Sequence, residues 1–404
     1  MYMSTYKLEK HLATRLKNMT CSAIRDMLKQ AGRPGFISLG GGYPDPESFP
    51  IDIIRSLRIL VKRKYKNSIY QYGRSEGLIQ LFEQLIPFFK RTNRSIKATP
   101  HTISITTGSQ QALAILAMMF IDPGDYIAVE TPTYLGALQA FNPFQPRYIE
   151  LEVDDEGIVP DKLDKTISKY PNIKFIYIIP TFQNPTGKTL SLDRRVRIAK
   201  ILRKHDVIAV EDDPYSELRY EAEPIPSLQS LIPEKVIHLF TFSKTFAPDF
   251  RIGGIVAPPE VCETATMIKQ GLDLYTSNYN QAMVTEYLAG GHLEPHLKKI
   301  INLYKPRRDL MMSLIDTYFP LEISHTNPLG GMFVWAYSNN SKTIHINTIL
   351  DEALKKNVGF VPGNPFFARK KNSPFSMRLN FTNQSNSNIE KGIKILGQIL
   401  HKYL

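Results

Sequence analysis

Val236-Ile237-His238-Leu239-Phe240-Thr241-Phe242-Ser243-Lys244 carries a near-continuous apolar run straight into a lysine, and Thr245-Phe246-Ala247-Pro248-Asp249-Phe250-Arg251-Ile252-Gly253-Gly254 leads on to an arginine and a glycine pair. A run of this kind reads as a strand buried on both faces, as in a parallel sheet. Lysine is ordinarily a surface residue, so a lysine at the end of a buried strand asks for a reason. In desolvated, cationic surroundings its amine loses its proton more readily and attacks aldehydes, which makes Schiff-base chemistry available to Lys244. Arg251 offers a two-pronged clamp for a phosphate dianion, and Thr241 and Ser243 add hydroxyl donors. Gly108-Ser109-Gln110 turns a predicted strand, His101 to Thr107, into a helix reaching Phe120; its first N–H groups form a second half of the same anion site.

Outward from this core, further strands are expected at Tyr126 to Glu130, Lys174 to Ile179, Val207 to Glu211 and Ile252 to Ala257. Alternating with helical patterns, they predict an α/β architecture: a large domain with a mostly parallel sheet sandwiched by helices, plus a smaller α+β domain. The expected boundaries are an N-terminal arm over 1–50 completing the small domain, a large cofactor-binding domain over 51–292, and a linking helix with the small C-terminal domain over 293–404. An amphipathic helix is expected near Thr20 to Gln30. The Gly40-Gly41-Gly42 segment lacks the strand, spacing and helix of a dinucleotide fingerprint and reads as a tight turn.

At 404 residues the chain is long enough for a buried site, and 43% hydrophobic with 22% charged residues excludes disordered and fibrous classes. The net charge of +12 favours small anions or plain solubility. The basic residues are scattered, so the denser patches Lys62 to Lys66 and Arg369 to Lys371 read as solvated faces, and neither nucleic acid nor a membrane is an expected partner. Two cysteines, Cys21 and Cys262, suit a reducing cytoplasm and read as packing residues. The polar Met1 to Lys10 does not read as a signal peptide, and the longest apolar run, Ala112 to Ile121, is too short for a bilayer of about 30 Å.

The order of these segments resembles the fold-type I pyridoxal-phosphate aminotransferases of class I/II over nearly the whole chain. The Thr241 to Gly253 segment looks like that family's cofactor-lysine segment, Asn184-Pro185-Thr186-Gly187 like its Asn-Pro-x-Gly motif, and Asp212-Asp213-Pro214-Tyr215 like its Asp-x-x-Tyr motif. Alone, the second is a turn and the third a helix start; it is their joint occurrence in this order that is specific. Phe36 to Pro44 and Tyr70-Gln71-Tyr72-Gly73 are similar to the 2-aminoadipate and kynurenine aminotransferase branch. The catalytic domain of MocR-type regulators is similar too, but those carry a winged helix for which there is no room before Gly40.

The resemblance implies pyridoxal 5'-phosphate as cofactor, held as a Schiff base by Lys244, with Arg251, Ser109, Gln110, Thr241 and Ser243 at its phosphate. It implies Asp212 at the pyridine nitrogen, Asn184 and Tyr215 at the phenolic oxygen, and Tyr134 stacked on the ring, although Tyr134 also reads as a core tyrosine. Arg378 would grip the substrate carboxylate, beside Gly40 and Asn184, and Arg25 would meet an acidic side chain or be merely solvated. Cis bonds are expected at Thr131-Pro132 and Asn184-Pro185. The implied reaction is ping-pong transfer of an amino group between an L-amino acid and a 2-oxo acid, in a homodimer where Tyr72 reaches the cofactor phosphate of the partner subunit. A β-lyase on the same cofactor and a non-catalytic regulatory domain stay open as alternatives. No metal is called for.

Overall fold

The computed structural model describes residues 10–19, 33–91, 95–338, 345–369 and 373–404. Its centre is a seven-stranded sheet. In chain order the strands are β1 (Ile103–Thr106), β2 (Tyr126–Glu130), β3 (Arg147–Leu151), β4 (Ile173–Ile178), β5 (Ile208–Asp213), β6 (Val236–Thr241) and β7 (Gly253–Val256). They lie side by side as β1-β7-β6-β5-β4-β2-β3. Only β7 runs against its neighbours, pairing antiparallel with both β1 and β6. All six residues of Ile173–Ile178 except Lys174 are buried, as a strand covered by helices on both faces must be.

Parallel strands deliver their C-terminal ends to one edge of a sheet, and open α/β sheets bind ligands there. The ends of β1, β2, β4, β5 and β6 lead into Thr107-Gly108-Ser109, Thr131 to Tyr134, Phe182 to Asn184, Asp212 and Ser243-Lys244 respectively. The antiparallel β7 brings Arg251 to the same edge, because Gly253 sits in register between Thr241 and Thr106. The predicted strands therefore stand within one or two residues of their expected bounds. One difference matters: β5 runs on to Asp213, so the acidic pair lies inside the strand rather than after it.

A 26-residue helix, Leu293–Tyr318, leads to a second sheet of β8 (Ser324–His325), β9 (Phe333–Ser338), β10 (Val361–Pro362) and β11 (Phe375–Asn380), ordered β8-β9-β11-β10 and antiparallel throughout. Ile37–Ser38 pairs in parallel with Val358–Gly359, and the Leu39 carbonyl accepts from the Asn380 amide at 2.6 Å. The following segment is tied to the long helix: Arg307 Nη1 meets Asp45 Oδ2 at 2.6 Å, the Asp45 amide donates to the Tyr304 hydroxyl at 2.9 Å, and a His296 ring nitrogen lies 2.5 Å from the Ser48 carbonyl.

Gly40-Gly41-Gly42 is not the expected tight turn. None of the three has a positive φ, and the stretch runs as irregular backbone past Tyr43, Phe333 and Arg378. These glycines serve close approach: a Cβ on Gly42 would stand 3.2 Å from the Phe333 ring and 3.5 Å from Arg378 Nη2. The helix expected near Thr20 to Gln30, with Cys21 and Arg25, lies outside the described residues. Cys262 is buried, as a packing residue should be.

Gly253 is a close splice in the sheet. A Cβ there would lie 2.6 Å from the Phe240 carbonyl and 2.9 Å from the Ser109 amide, both rigid backbone. Gly253→Ala should therefore destabilise the protein by about 2 kcal/mol through overpacking. Gly271→Ala, in a helix with nothing within 4 Å, should instead be neutral or stabilise by up to about 1 kcal/mol. Denaturant unfolding of both variants checks this; equal effects would contradict it.

Candidate active site

Lys244 leaves the end of β6 half-buried, and its Nζ donates to the Gly42 carbonyl at 2.9 Å. Burial first, then the nearby Arg378 and Arg251 guanidiniums, pull its amine down to about 8. Arg378, on β11, is completely buried. Its Nη1 donates to Asn184 Oδ1 at 2.9 Å and its Nη2 to the Gly40 carbonyl at 2.7 Å, while Nε has no partner. Its guanidinium lies 4.2 Å from the Phe333 ring centre and 5.1 Å from that of Phe366. Burial lowers even this group to about 10.

A buried guanidinium without a carboxylate carries an uncompensated desolvation cost of several kcal/mol. Among the described residues no ion pair involves Arg378, Lys244 or Arg251, whose hydrogen-bond partners are neutral oxygens. Arg251 donates to Ser243 Oγ at 3.4 Å, the Pro248 carbonyl at 3.5 Å and the Thr107 carbonyl at 3.3 Å. It holds this position from a left-handed backbone, φ 52°, two residues before β7. Thr241 Oγ1 and Ser243 Oγ are 3.0 Å apart beside it.

The opposite wall is the turn at Gly108, which precedes the helix Ser109–Phe120 with φ 77°. A Cβ at Gly108 would lie 2.3 Å from Arg251 Nη2, so only glycine lets this turn close on the arginine. Ser109 and Gln110 form the helix's first turn, where backbone N–H groups have no helical acceptor. The Gln110 side chain is directed elsewhere, onto the Gly136 carbonyl at 2.8 Å, which leaves its amide as the group available to an anion.

The two aspartates of the acidic pair are separated by strand alternation. Asp212 Oδ2 accepts from the Tyr177 hydroxyl at 2.7 Å, and its Oδ1 is buried without a partner. Burial, reinforced by Asp213, pushes the Asp212 carboxyl up to about 6 against the Tyr177 hydrogen bond. Asp213 serves its own turn, accepting from the Ser216 amide and hydroxyl. Asn184 Nδ2 donates to the Tyr215 hydroxyl at 3.2 Å, so Asn184 links Tyr215 to Arg378. Burial first, then the Asp212 carboxylate, push the Tyr134 hydroxyl above its ordinary range, against the pull of the Arg378 and Arg251 guanidiniums. The bonds Thr131-Pro132 and Asn184-Pro185 are both cis.

Eleven of the expected site residues thus gather in one place, ten at the central sheet's edge and the turns that leave it and Arg378 reaching in from β11: Lys244, Arg251, Arg378, Asn184, Asp212, Tyr215, Tyr134, Thr241, Ser243, Ser109 and the Gln110 backbone. Gly40 takes part through its carbonyl. Tyr72 stands apart, 75% exposed with its ring 5.8 Å from Tyr275. Sequence reasoning missed Tyr177, Phe333, Phe366 and the Gly42 carbonyl. Register holds a signal for two of them. Tyr177 pairs with Val210, two residues from Asp212, and Trp335 pairs with Arg378, two residues from Phe333, so each lies diagonally on the same face.

The family model for aminotransferase class I and II matches residues 39–396. The aromatic-amino-acid aminotransferase 1 of Thermococcus litoralis is 40% identical, over 98% of this chain and 95% of that protein. The 2-aminoadipate transaminase of Thermus thermophilus is 35% identical, over 94% of each. A solved structure of the Pyrococcus horikoshii kynurenine aminotransferase, in complex with PMP, KYN and KYA, superposes with a TM-score of 0.93 at 38% identity, covering 98% of both chains. With a match spanning nearly its whole length, this chain belongs to the class I and II aminotransferases.

Proposed function

We propose that the chain transfers amino groups between an L-amino acid and a 2-oxo acid with pyridoxal 5'-phosphate, and that Lys244 is the amine that links to it. The observation that carries this is the company of Lys244: a strand-end amine held by the Gly42 carbonyl beside two guanidiniums that have no counter-ion among the described residues. The cleft also fits the cofactor's polarity. Asp212 Oδ1 is an unpartnered buried acceptor, which a protonated pyridine nitrogen would satisfy, and Arg378 Nε is an unpartnered buried donor, which a carboxylate would satisfy. When bound, the cofactor supplies an aldehyde for the amine and a ring that takes up the electrons released as the substrate's α-proton leaves.

The remaining work belongs to the chain. Arg251, Ser243, Thr241 and the first N–H groups of the helix Ser109–Phe120 hold the phosphate. Asp212, kept in place by Tyr177, would hold a proton on the ring nitrogen; Asn184 and Tyr215 would bind the phenolic oxygen, and Tyr134 would pack on the ring. Arg378 fixes the substrate's α-carboxylate. With substrate in place, Lys244 Nζ would be the base that takes up the α-proton and the acid that gives it back, an intramolecular transfer favoured by its position. Relatives named for aromatic amino acids, 2-aminoadipate and kynurenine support amino-group transfer over β-elimination or regulation. The composition supports a cytoplasmic setting, and no helix among the described residues is long and apolar enough to cross a membrane.

We further propose a homodimer, with Tyr72 directed at the phosphate of the partner subunit. Tyr72 and Tyr70 are 75% and 67% exposed, a large aromatic surface for a single chain to leave in water. Sedimentation of the cofactor-loaded protein at micromolar concentration should give a dimer, and Tyr72→Phe should weaken cofactor retention by roughly tenfold through one lost charge-assisted hydrogen bond. An active monomer would overturn this.

Lys244→Ala should abolish amino transfer across a panel of amino acids while the chain stays folded and keeps some noncovalent cofactor. In the wild-type chain stripped of cofactor, the rate of aldehyde capture should climb as pH rises through about 8, where the amine becomes neutral, and level off above it. Stopped-flow absorbance reads both arms; near-normal turnover of the variant would sink the assignment.

Arg378→Ala should raise KM by about a hundredfold for every amino acid alike, since all share the α-carboxylate and a buried charge-assisted pair is lost. Steady-state kinetics on an aromatic, an acidic and an aliphatic substrate test it. A loss confined to one of them would contradict the role.

A further inference from the structure

Lys269 is a buried lysine that the reaction above does not use. It projects from the helix Pro259–Leu272 and is wholly inaccessible to solvent. Its Nζ donates to Asp273 Oδ1 at 2.7 Å and to Gln111 Oε1 at 3.2 Å. Asp273 Oδ2 in turn accepts from Gln111 Nε2 at 2.7 Å and from Thr107 Oγ1 at 3.0 Å. The circuit closes on Thr107, whose amide donates to Gln111 Oε1 at 2.7 Å and whose hydroxyl also lies 3.1 Å from that of Thr276.

Thr107 is therefore fixed through both its amide and its hydroxyl, and its remaining polar atom, the carbonyl, accepts from Arg251 Nη2 at 3.3 Å. Arg251 is set from its own side by β7 and its left-handed backbone. The opposing turn carries Gly108 and the start of the helix Ser109–Phe120, and no charged group but this pair reaches it apart from Arg251 among the contacts of Thr107 and Gln111. An apolar side chain of similar volume would fill the space of Lys269 with little change in stability. What the ion pair adds is a fixed geometry for Thr107 and Gln111.

We propose that Lys269 and Asp273 are positioning residues for the phosphate end of the site: through Gln111 and Thr107 they hold the Thr107–Ser109 turn at the separation from Arg251 that a phosphate monoester needs. This rests on the reading of Arg251 and that turn as the phosphate site. Its signature is selective, because a ligand without the phosphate does not need the two walls held apart at a set distance.

The test compares pyridoxal 5'-phosphate with pyridoxal, which lacks the phosphate, titrated into the full-length chain stripped of cofactor. The variants are Asp273→Ala and the double variant Lys269→Met/Asp273→Ala, which leaves no unpaired buried ammonium; thermal melting confirms that the double variant folds. Both should bind the phosphorylated ligand about tenfold more weakly and pyridoxal within about twofold of wild type, as expected for loosening charge-assisted bonds. Equal weakening of both ligands, or no change in either, overturns the proposal. Arg251→Ala is the reference. If it too leaves the ratio of the two affinities unchanged, the phosphate reading is wrong and the proposal falls with it. If it lowers the ratio while the double variant does not, the proposal alone falls.

Discussion

Three cations, Lys244, Arg251 and Arg378, face one cleft, and the protein gives none of them an ion-pair partner among the described residues. Much of the surrounding structure follows from that constraint. Each cation has to be held without being neutralised, so the oxygens that hold it are carbonyls, hydroxyls and an amide: Gly42 for Lys244, Thr107, Pro248 and Ser243 for Arg251, Gly40 and Asn184 for Arg378. Such bonds are individually modest, about 1–3 kcal/mol where one group is charged. They fix direction while leaving the charge for a ligand. The faces of Phe333 and Phe366 add attraction to Arg378 of the same uncommitted kind.

Neutral holding demands backbone placed close to side chains, and this explains where the sheet and the glycines go. Five parallel strands end at the cleft, and β7 is inserted against the grain so that Arg251 arrives from the opposite direction. Gly42, Gly108 and Gly253 sit where a methyl group would press on Phe333, on Arg251 or on backbone. The Lys269–Asp273 pair stands apart from this pattern as a charge neutralised within the protein, its two members four residues apart.

Local chemistry was legible in the sequence where it is contiguous. The strand-to-lysine run, the Asn-Pro-Thr-Gly and Asp-Asp-Pro-Tyr segments and the turn at Gly108 each keep their parts within a few residues, and the buried strands show as unbroken apolar runs. What stayed hidden depends on pairing between distant strands. Tyr177 reaches Asp212 and Phe333 reaches Arg378 only because of register, which no local pattern specifies. Gly40 to Gly42 misled for a related reason: three glycines look like a turn, yet here they are irregular backbone without a positive φ, made thin so that two side chains can touch it. Gln110 was placed by its amide and not by its side chain, whose partner Gly136 lies in the next helix.

The carbonyls of Gly40 and Gly42 have a further consequence for how the protein behaves in different buffers. They hold Arg378 and Lys244 at two points of one short ribbon that is itself stitched to Val358–Gly359 and to Arg307. Without ligand, the ribbon, Asn184 and the faces of Phe333 and Phe366 restrain cations that repel one another, and that repulsion is screened by dissolved ions. A multivalent anion such as phosphate or sulfate that bound the native cleft and not the unfolded chain would act as a surrogate counter-ion and stabilise the empty enzyme. The medium therefore enters the stability of the empty chain: phosphate is expected to stabilise this cleft more than dilute monovalent salt does.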